Sequence, residues 1–415
     1  MAAGRTEIRV YADWIDLQGP ACMGRLLVQH TKGRSAFSFS YDPFWLSGKY
    51  PFQLDPDLAF FSGNQYPGGK ENFGMFLDSM PDTWGRTLMR RREAIVAKAE
   101  GRPMRNLHET DFLLGTLDET RPGALRFKQE KDGPFLDDNL HQPTPPWIRL
   151  RALQDAVEKY ESESDEEFES WYSVLFAPGS SLGGARPKAN ILDGKGHLWI
   201  AKFPSKNDVT DMAAWEYLAY RLAVNCGIEM AESVLEHISG PYRAFITKRF
   251  DRVGSQRIHI ASAMTMTGQT EETLKQRTAS YIDLAEFLQF QGSRNTEDLQ
   301  QLWRRLVFNI AISNTDDHLR NHGFILKSSG WLLSPAFDLN PSIDKSGLSL
   351  NIDSTQSSLD FELAKSVGKL FHLTDSQMDK IISEVKGSVQ NWKILARELE
   401  ISAKEIQIME PAFRY

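Results

Sequence analysis

Residues 314–321 read NTDDHLRN, and the octapeptide sits between two segments of opposite character. Before it, 296–313 repeats apolar side chains at Leu299, Leu302, Trp303, Leu306, Val307 and Ile310, the stripe of an amphipathic helix. After it, GFIL and WLLS flank KSSG, which predicts a short hairpin. Beyond the hairpin stands Pro335-Ala336-Phe337-Asp338.

Asp316 and Asn321 are five positions apart, the separation of the catalytic aspartate and the metal-binding asparagine in a kinase catalytic loop. Phosphoryl transfer needs a carboxylate to orient the attacking hydroxyl and accept its proton. It also needs an oxygen ligand for Mg2+, and an amide supplies one without adding charge beside the phosphates. Asp338 falls where a second metal ligand belongs. Asp317 could be mistaken for the base, but the spacing to Asn321 favours Asp316. Taken singly, these residue types are turn formers and caps. The order helix, loop, hairpin, acid carries the reading.

Two upstream features agree. In SSLGGARPK (180–188), Gly183 and Gly184 let backbone N–H groups approach phosphate, and Arg186 or Lys188 adds positive charge; a surface turn is the plain alternative. HLWIAKFP (197–204) predicts a buried strand, and Lys202 near its end must snorkel or meet an anion. Glu216, in a helix predicted over 209–226, is its candidate partner. Ile246-Thr247-Lys248-Arg249-Phe250-Asp251 then stands where a hinge would read adenine through its backbone, with Phe250 alternatively a core residue.

Farther out, 7–42 alternates as three strands of a small antiparallel sheet. A helix follows over DTWGRTLMRRREAIVAKAEG, capped by Asp82 or Thr83 and ended by Gly101, and another runs from Glu109 to Leu117. HQPTPPW (141–147) marks a boundary, because three prolines cannot continue a helix or a central strand. The acidic stretch 161–170 reads as a solvated face. The whole is α+β, a sheet-rich part before a helical one. With 415 residues, 41% hydrophobic and 25% charged, the chain is long enough for two or three subdomains. A net charge of -7 argues against a stand-alone nucleic-acid binder. Cys22 and Cys226 form no framework and no CxxC. No leader and no apolar run of membrane length is visible, so a cytoplasmic location without membrane contact is expected.

SLGGARPK, WIAKFP, ITKRFDR, NTDDHLRNHGF and SPAFDLNPS, in this order, resemble the HipA family of bacterial toxin kinases. GRLLVQHTKGRSAFSFSYDPFWL and FLDSMPDTWGRTLMRR extend the resemblance over nearly the whole chain. It implies a protein-kinase-like bilobal fold: a β-rich N-terminal subdomain (1–145), a sheet-rich lobe with phosphate loop and hinge (146–251), and a helical C-terminal lobe (252–415). It implies ATP and Mg2+ as cofactors, Asp316 as base, and Asn321 and Asp338 as metal ligands. It assigns Gly183, Gly184, Ala185, Arg186, Pro187, Lys188, Lys202, Lys248, Arg249, Phe250, His318, Leu319, Arg320, Asn321, Phe337 and Asp338 to the nucleotide site. Ser181 would be the autophosphorylated residue, with Ser180 beside it.

The implied substrate is an aminoacyl-tRNA synthetase, whose phosphorylation stalls translation. The implied partner is a HipB-type helix-turn-helix antitoxin that brings operator DNA. The family often carries Lys at the position of Arg320 and Glu at that of Lys248. A small-molecule kinase, and a degenerate kinase acting as an antitoxin-binding co-repressor, are the alternatives.

Overall fold

Alternation at the N-terminus builds the first sheet. Ile8, Val10 and Ala12 are fully buried, while Arg9 and Tyr11 between them keep contact with solvent. The strand pleat puts successive side chains on opposite faces, so one face becomes core. In this computed structural model, which describes residues 4–31, 34–48, 52–81, 83–138, 144–162, 175, 184 and 186–415, the first three strands are β1 (Gly4–Ala12), β2 (Ala21–Thr31) and β3 (Arg34–Tyr41). They pair antiparallel, with Ile8 opposite Leu26 and Leu26 opposite Phe39. Gly24 permits a close approach: a Cβ there would lie 2.6 Å from the Phe39 ring and 2.3 Å from the Ser40 carbonyl.

The chain forms two units, residues 1–206 with 251–261, and residues 207–250 with 262–415. In the first, α1 (Thr83–Ala99) and α2 (Glu109–Leu114) follow the sheet. Gly101, at φ 63, closes α1 as expected; Asp82 lies outside the described residues. Helix α2 stops at Leu114 rather than Leu117 because Gly115 takes over as its cap, its N–H donating to the Asp111 carbonyl at 2.9 Å. A fourth strand, β4 (Leu125–Lys128), was not legible; it joins the edge of β1 and adds Phe127 to a core with Phe39 and Phe76. After α3 (Leu150–Glu161), β5 (Lys188–Leu192) and β6 (Leu198–Lys202) form an antiparallel pair. Trp84 of α1 donates from Nε1 to the Lys188 carbonyl at 2.9 Å, which pins the start of β5.

Glu93 of α1 makes a testable acid-sensitive contact. It accepts from Arg102 Nη1 at 2.6 Å and Nη2 at 3.2 Å, and from the Arg105 amide at 3.0 Å. These donors, the Arg102 side chain first, hold its carboxyl down to about 2 from the ordinary 4.5. Because the folded value is the lower one, the contribution is present above pH 4.5 and is lost as pH falls through about 2. Urea midpoints measured across that window are expected to fall more steeply for the wild type than for Glu93→Gln.

The second unit begins with α4 (Met212–Asn225), the strand pair β7 (Ser233–Glu236) and β8 (Ala244–Lys248), then α5 (Tyr281–Gln291) and α6 (Asn295–Ala311). Asp211 caps α4 by accepting from the Ala214 amide at 3.0 Å, and accepts from Arg243 Nε at 2.7 Å. Ser280 and Asp283 form a capping box that starts α5. Helix α6 is the core of the unit: Leu302, Trp303, Leu306, Val307 and Ile310 are fully buried. It leads through the octapeptide to the hairpin β9 (Gly323–Lys327) and β10 (Gly330–Leu333). Then come α7 (Asp375–Val389) and α8 (Trp392–Glu398). Ser388 of α7 donates to the Leu222 carbonyl of α4 at 2.8 Å, and Trp392 stacks on Phe413 with ring centroids 4.0 Å apart. Among the described residues no helix is long and apolar enough to cross a membrane.

Candidate active site

The loop after α6 separates its two adjacent acids. Helix α6 ends with the Asn314 amide donating to the Asn309 carbonyl at 2.9 Å, and Ser313 takes a left-handed conformation at φ 50. That turn is held: Ser313 Oγ donates to the Ala412 carbonyl at 2.7 Å and accepts from Arg414 Nε at 3.1 Å. From there Asp316 faces solvent, and its carboxylate has no hydrogen-bond or ion-pair partner among the described residues. Asp317 is 1% exposed; it accepts from Tyr281 Oη and from His322 Nε2, the latter at 2.9 and 3.1 Å to its two oxygens. A buried carboxylate persists only when its oxygens are met by donors, as here. Asp317 is therefore occupied with structure and Asp316 is available for chemistry.

Asn321 closes the loop. Its Nδ2 donates to the backbone carbonyl of Asp316 at 3.3 Å, its own amide donates to the His318 carbonyl at 2.8 Å, and its Oδ1 makes no hydrogen bond among the described residues. Leu319 is fully buried and anchors the turn, so its contribution to a nucleotide site would be through backbone. Nδ1 of His318 is buried without a hydrogen-bond partner among the described residues. Arg320 turns aside, ion-paired with Glu271 and in contact with the Met264 sulfur.

Helix α6 also aims the hairpin. Asp298, fully buried, accepts from Arg294 Nη2 at 2.7 Å and from the Leu333 amide at 2.9 Å; burial raises its carboxyl above the usual range. Arg305 donates from Nη2 to the Ser334 carbonyl at 2.5 Å. With the end of β10 gripped twice, the chain turns through Ala336, whose amide donates to the Glu229 carbonyl at 2.8 Å, to Asp338 at φ 60. A left-handed non-glycine residue costs roughly 1–3 kcal/mol, and Asp tolerates it best with Asn. Phe337, just before it, packs against Phe250, ring centroids 5.7 Å apart. Lys248 is ion-paired with Glu232 at 3.2 Å, and Arg249 is buried.

In the first unit, β5 and β6 set Lys188 directly opposite Lys202. Directly opposed residues of an antiparallel pair project from the same face, and like charges there repel. Lys188 is 2% exposed, and a Cβ on Gly184, at φ 88, would lie 3.1 Å from its Nζ, so the ammonium lies beside Gly184. Arg186 and Pro187 lead into β5. Gly183, Ala185, Ser180 and Ser181 lie outside the described residues. The same unit holds a polar cleft of about 760 Å3 lined by His30, Arg92, Glu93, Arg105, His108 and Asp111; it contains none of the expected nucleotide residues, and Arg105 is ion-paired with Asp111 at 3.0 Å.

Sequence reasoning missed Tyr281, Asn309, Asn314 and His322. The signal for Asn309 is a lone amide in the apolar run LVFNIAI, on a face that must be buried. Such a group needs a partner, and it has one: Asn309 Nδ2 donates to Tyr281 Oη at 2.8 Å.

The two strand pairs, the buried central helix and the acid-bearing loop before a hairpin define an α+β protein of kinase-like fold. The chain belongs to the HipA-like family: the family model described as HipA-like C-terminal domain matches residues 180–392, half of the chain. It is 24% identical over 221 residues to the serine/threonine-protein kinase toxin HipA of Shewanella oneidensis, covering 47% of this chain and 50% of that protein. A Haemophilus influenzae protein whose name proposes a kinase is 26% identical over 224 residues, 49% of this chain and 60% of its own. The chain thus matches between half and three fifths of the length of these relatives. A solved Shewanella oneidensis MR-1 structure, titled as HipA and HipB with operator DNA, superposes at TM-score 0.66 with 18% identity, covering 98% of this chain and 94% of its own.

Proposed function

We propose that the protein is a cytoplasmic, Mg-ATP-dependent serine/threonine protein kinase, the toxin of a toxin–antitoxin pair. The observation that carries the reading is the division of labour in the loop: Asp316 exposed and unengaged, Asp317 buried and occupied, Asn321 tied to the Asp316 carbonyl. That is what a base beside a metal-ligating amide requires.

The donor set fits Mg2+. Asn321 and Asp338 offer hard oxygens, and so few protein ligands suit an ion that keeps its waters and arrives with phosphate oxygens. Held there, Mg2+ would neutralise charge on the β- and γ-phosphates. Asp316 orients the substrate hydroxyl and takes its proton. The serine oxygen forms its bond to the γ-phosphorus as the bond to the β,γ-bridging oxygen breaks, and ADP leaves. The opposed pair Lys188 and Lys202 supports phosphate binding, and Phe250 with Phe337 supports an aromatic adenine site.

By family likeness the substrate is an aminoacyl-tRNA synthetase, the self-limiting site is Ser181, and the partner is a HipB-type antitoxin that carries operator DNA. The net charge of -7 fits a chain that leaves DNA affinity to its partner. Intact-mass spectrometry after incubation with Mg-ATP tests the reading. The wild type is expected to gain phosphate on itself or on one of a panel of purified synthetases. Labelling of none of these overturns it.

A further inference from the structure

We propose that Tyr281 and His322 are positioning residues of the catalytic loop: through the Asp317 carboxylate they fix the backbone from which Asp316 projects, which rests on the kinase reading above. The hydrogen bonds run in one direction. Asn314 Nδ2 donates to Asn309 Oδ1 at 3.1 Å, Asn309 Nδ2 to Tyr281 Oη at 2.8 Å, and Tyr281 Oη to Asp317 Oδ2. His322 Nε2 meets the same carboxylate from the other side at 2.9 Å. Asn309 and Tyr281 are fully buried, and none of the five residues is more than 2% exposed. Asp317 is where the chain ends, its carboxylate met by Tyr281 on one side and His322 on the other, and chained hydrogen bonds strengthen one another in a low-dielectric interior. Burial first, then the charge of Asp317, raises the Tyr281 hydroxyl well above 10, so it remains a donor at working pH.

The consequence for Asp316 is geometric. It is one peptide bond from Asp317. The preceding residue is held by Ser349 Oγ donating to the Thr315 carbonyl at 2.7 Å, and Asn321 Nδ2 grips the Asp316 carbonyl itself at 3.3 Å. Thr315, Asp316 and Asp317 are thus each tied to a different part of the unit. The Tyr281–Asp317–His322 contact is the buried one of these ties. A base displaced by about 1 Å costs up to ~10²-fold in rate while substrate binding elsewhere is untouched. Loss of a donor to Asp317 should therefore appear in kcat rather than in KM for ATP.

The test compares Tyr281→Phe, His322→Leu and His322→Gln, the last of which keeps an N–H donor. Steady-state kinetics, melting temperature and hydrogen exchange of the amides of residues 315–321 are measured on each. Tyr281→Phe and His322→Leu are expected to lower kcat about 10- to 100-fold with KM for ATP within about twofold, and to speed exchange at Asp317 and Asn321. His322→Gln is expected to recover most of what His322→Leu loses. Wild-type kcat and exchange in Tyr281→Phe overturn the proposal. So does a Gln variant no better than Leu, with rate losses that only follow melting temperature. If Tyr281→Phe does not fold, the two His322 variants decide. If the wild type itself transfers no phosphate, the kinase reading fails, and the exchange comparison alone decides whether these residues fix the loop.

Discussion

Asp316→Asn is expected to remove phosphoryl transfer and leave the fold unchanged. The side chain is exposed and makes no hydrogen bond or ion pair among the described residues, so its amide replaces nothing structural. Surface changes of this kind lie within about ±0.5 kcal/mol. The lost carboxylate is the proton acceptor, and removing a positioned base costs about 10²–10⁴ in rate. Asp317→Asn, one residue on, reverses the pattern. It places an amide among groups that donate to a carboxylate, and losing a buried hydrogen bond to a charged group costs about 1.5–3 kcal/mol. The pair of variants, followed by kcat and melting temperature, separates base from anchor. Full activity in Asp316→Asn would sink the assignment.

Trp392→Ala is expected to be the most damaging packing change in the second unit. The indole is fully buried, stacks on Phe413 at 4.0 Å and an 8° interplanar angle, and lies 6.2 Å from the ring of Trp215. Its Nε1 has no hydrogen-bond partner among the described residues, so the loss is one of packing. Emptying such a site costs about 3–5 kcal/mol. For a unit of this size that is a fall of roughly 6–20 °C in melting temperature. Phe413 is flanked by Ala412 and Arg414, which hold Ser313, so residual activity in the variant is expected to fall at temperatures where the unit is still folded. Trp392→Phe retains a stacked ring and forfeits no hydrogen bond; its melting temperature should lie well above that of the alanine variant.

What the sequence disclosed followed from range. The octapeptide, its preceding helix and the following hairpin are contiguous, and each has a strong local signature: a 3.6-residue apolar period in 296–311, and a turn within KSSG. Lys188 and Lys202 were each legible as cations near a phosphate loop. Their direct opposition was not, because it depends on a strand register that no local pattern states. Tyr281 was hidden for the same reason. It lies 36 residues before the carboxylate it serves, at the first position of a helix where an aromatic reads as ordinary core. Strand β4 has four residues and is recognised only by its pairing with β1. The choice between Asp316 and Asp317 rested on spacing alone; burial supports it with an independent physical reason.

The bond from Ser388 to the Leu222 carbonyl spans 166 residues, and Arg243 Nη1 reaches the Leu399 carbonyl across 156. A ribosome adding about 5–20 residues per second needs roughly 8–33 s to make the first of these spans. During that interval the helix bearing Leu222 exists without its cover, and the loop bearing Asp316 is made before the residues that brace Ser313. The loop that carries Asp316 therefore gains its brace at Ser313 only once residues 412–414 have been made.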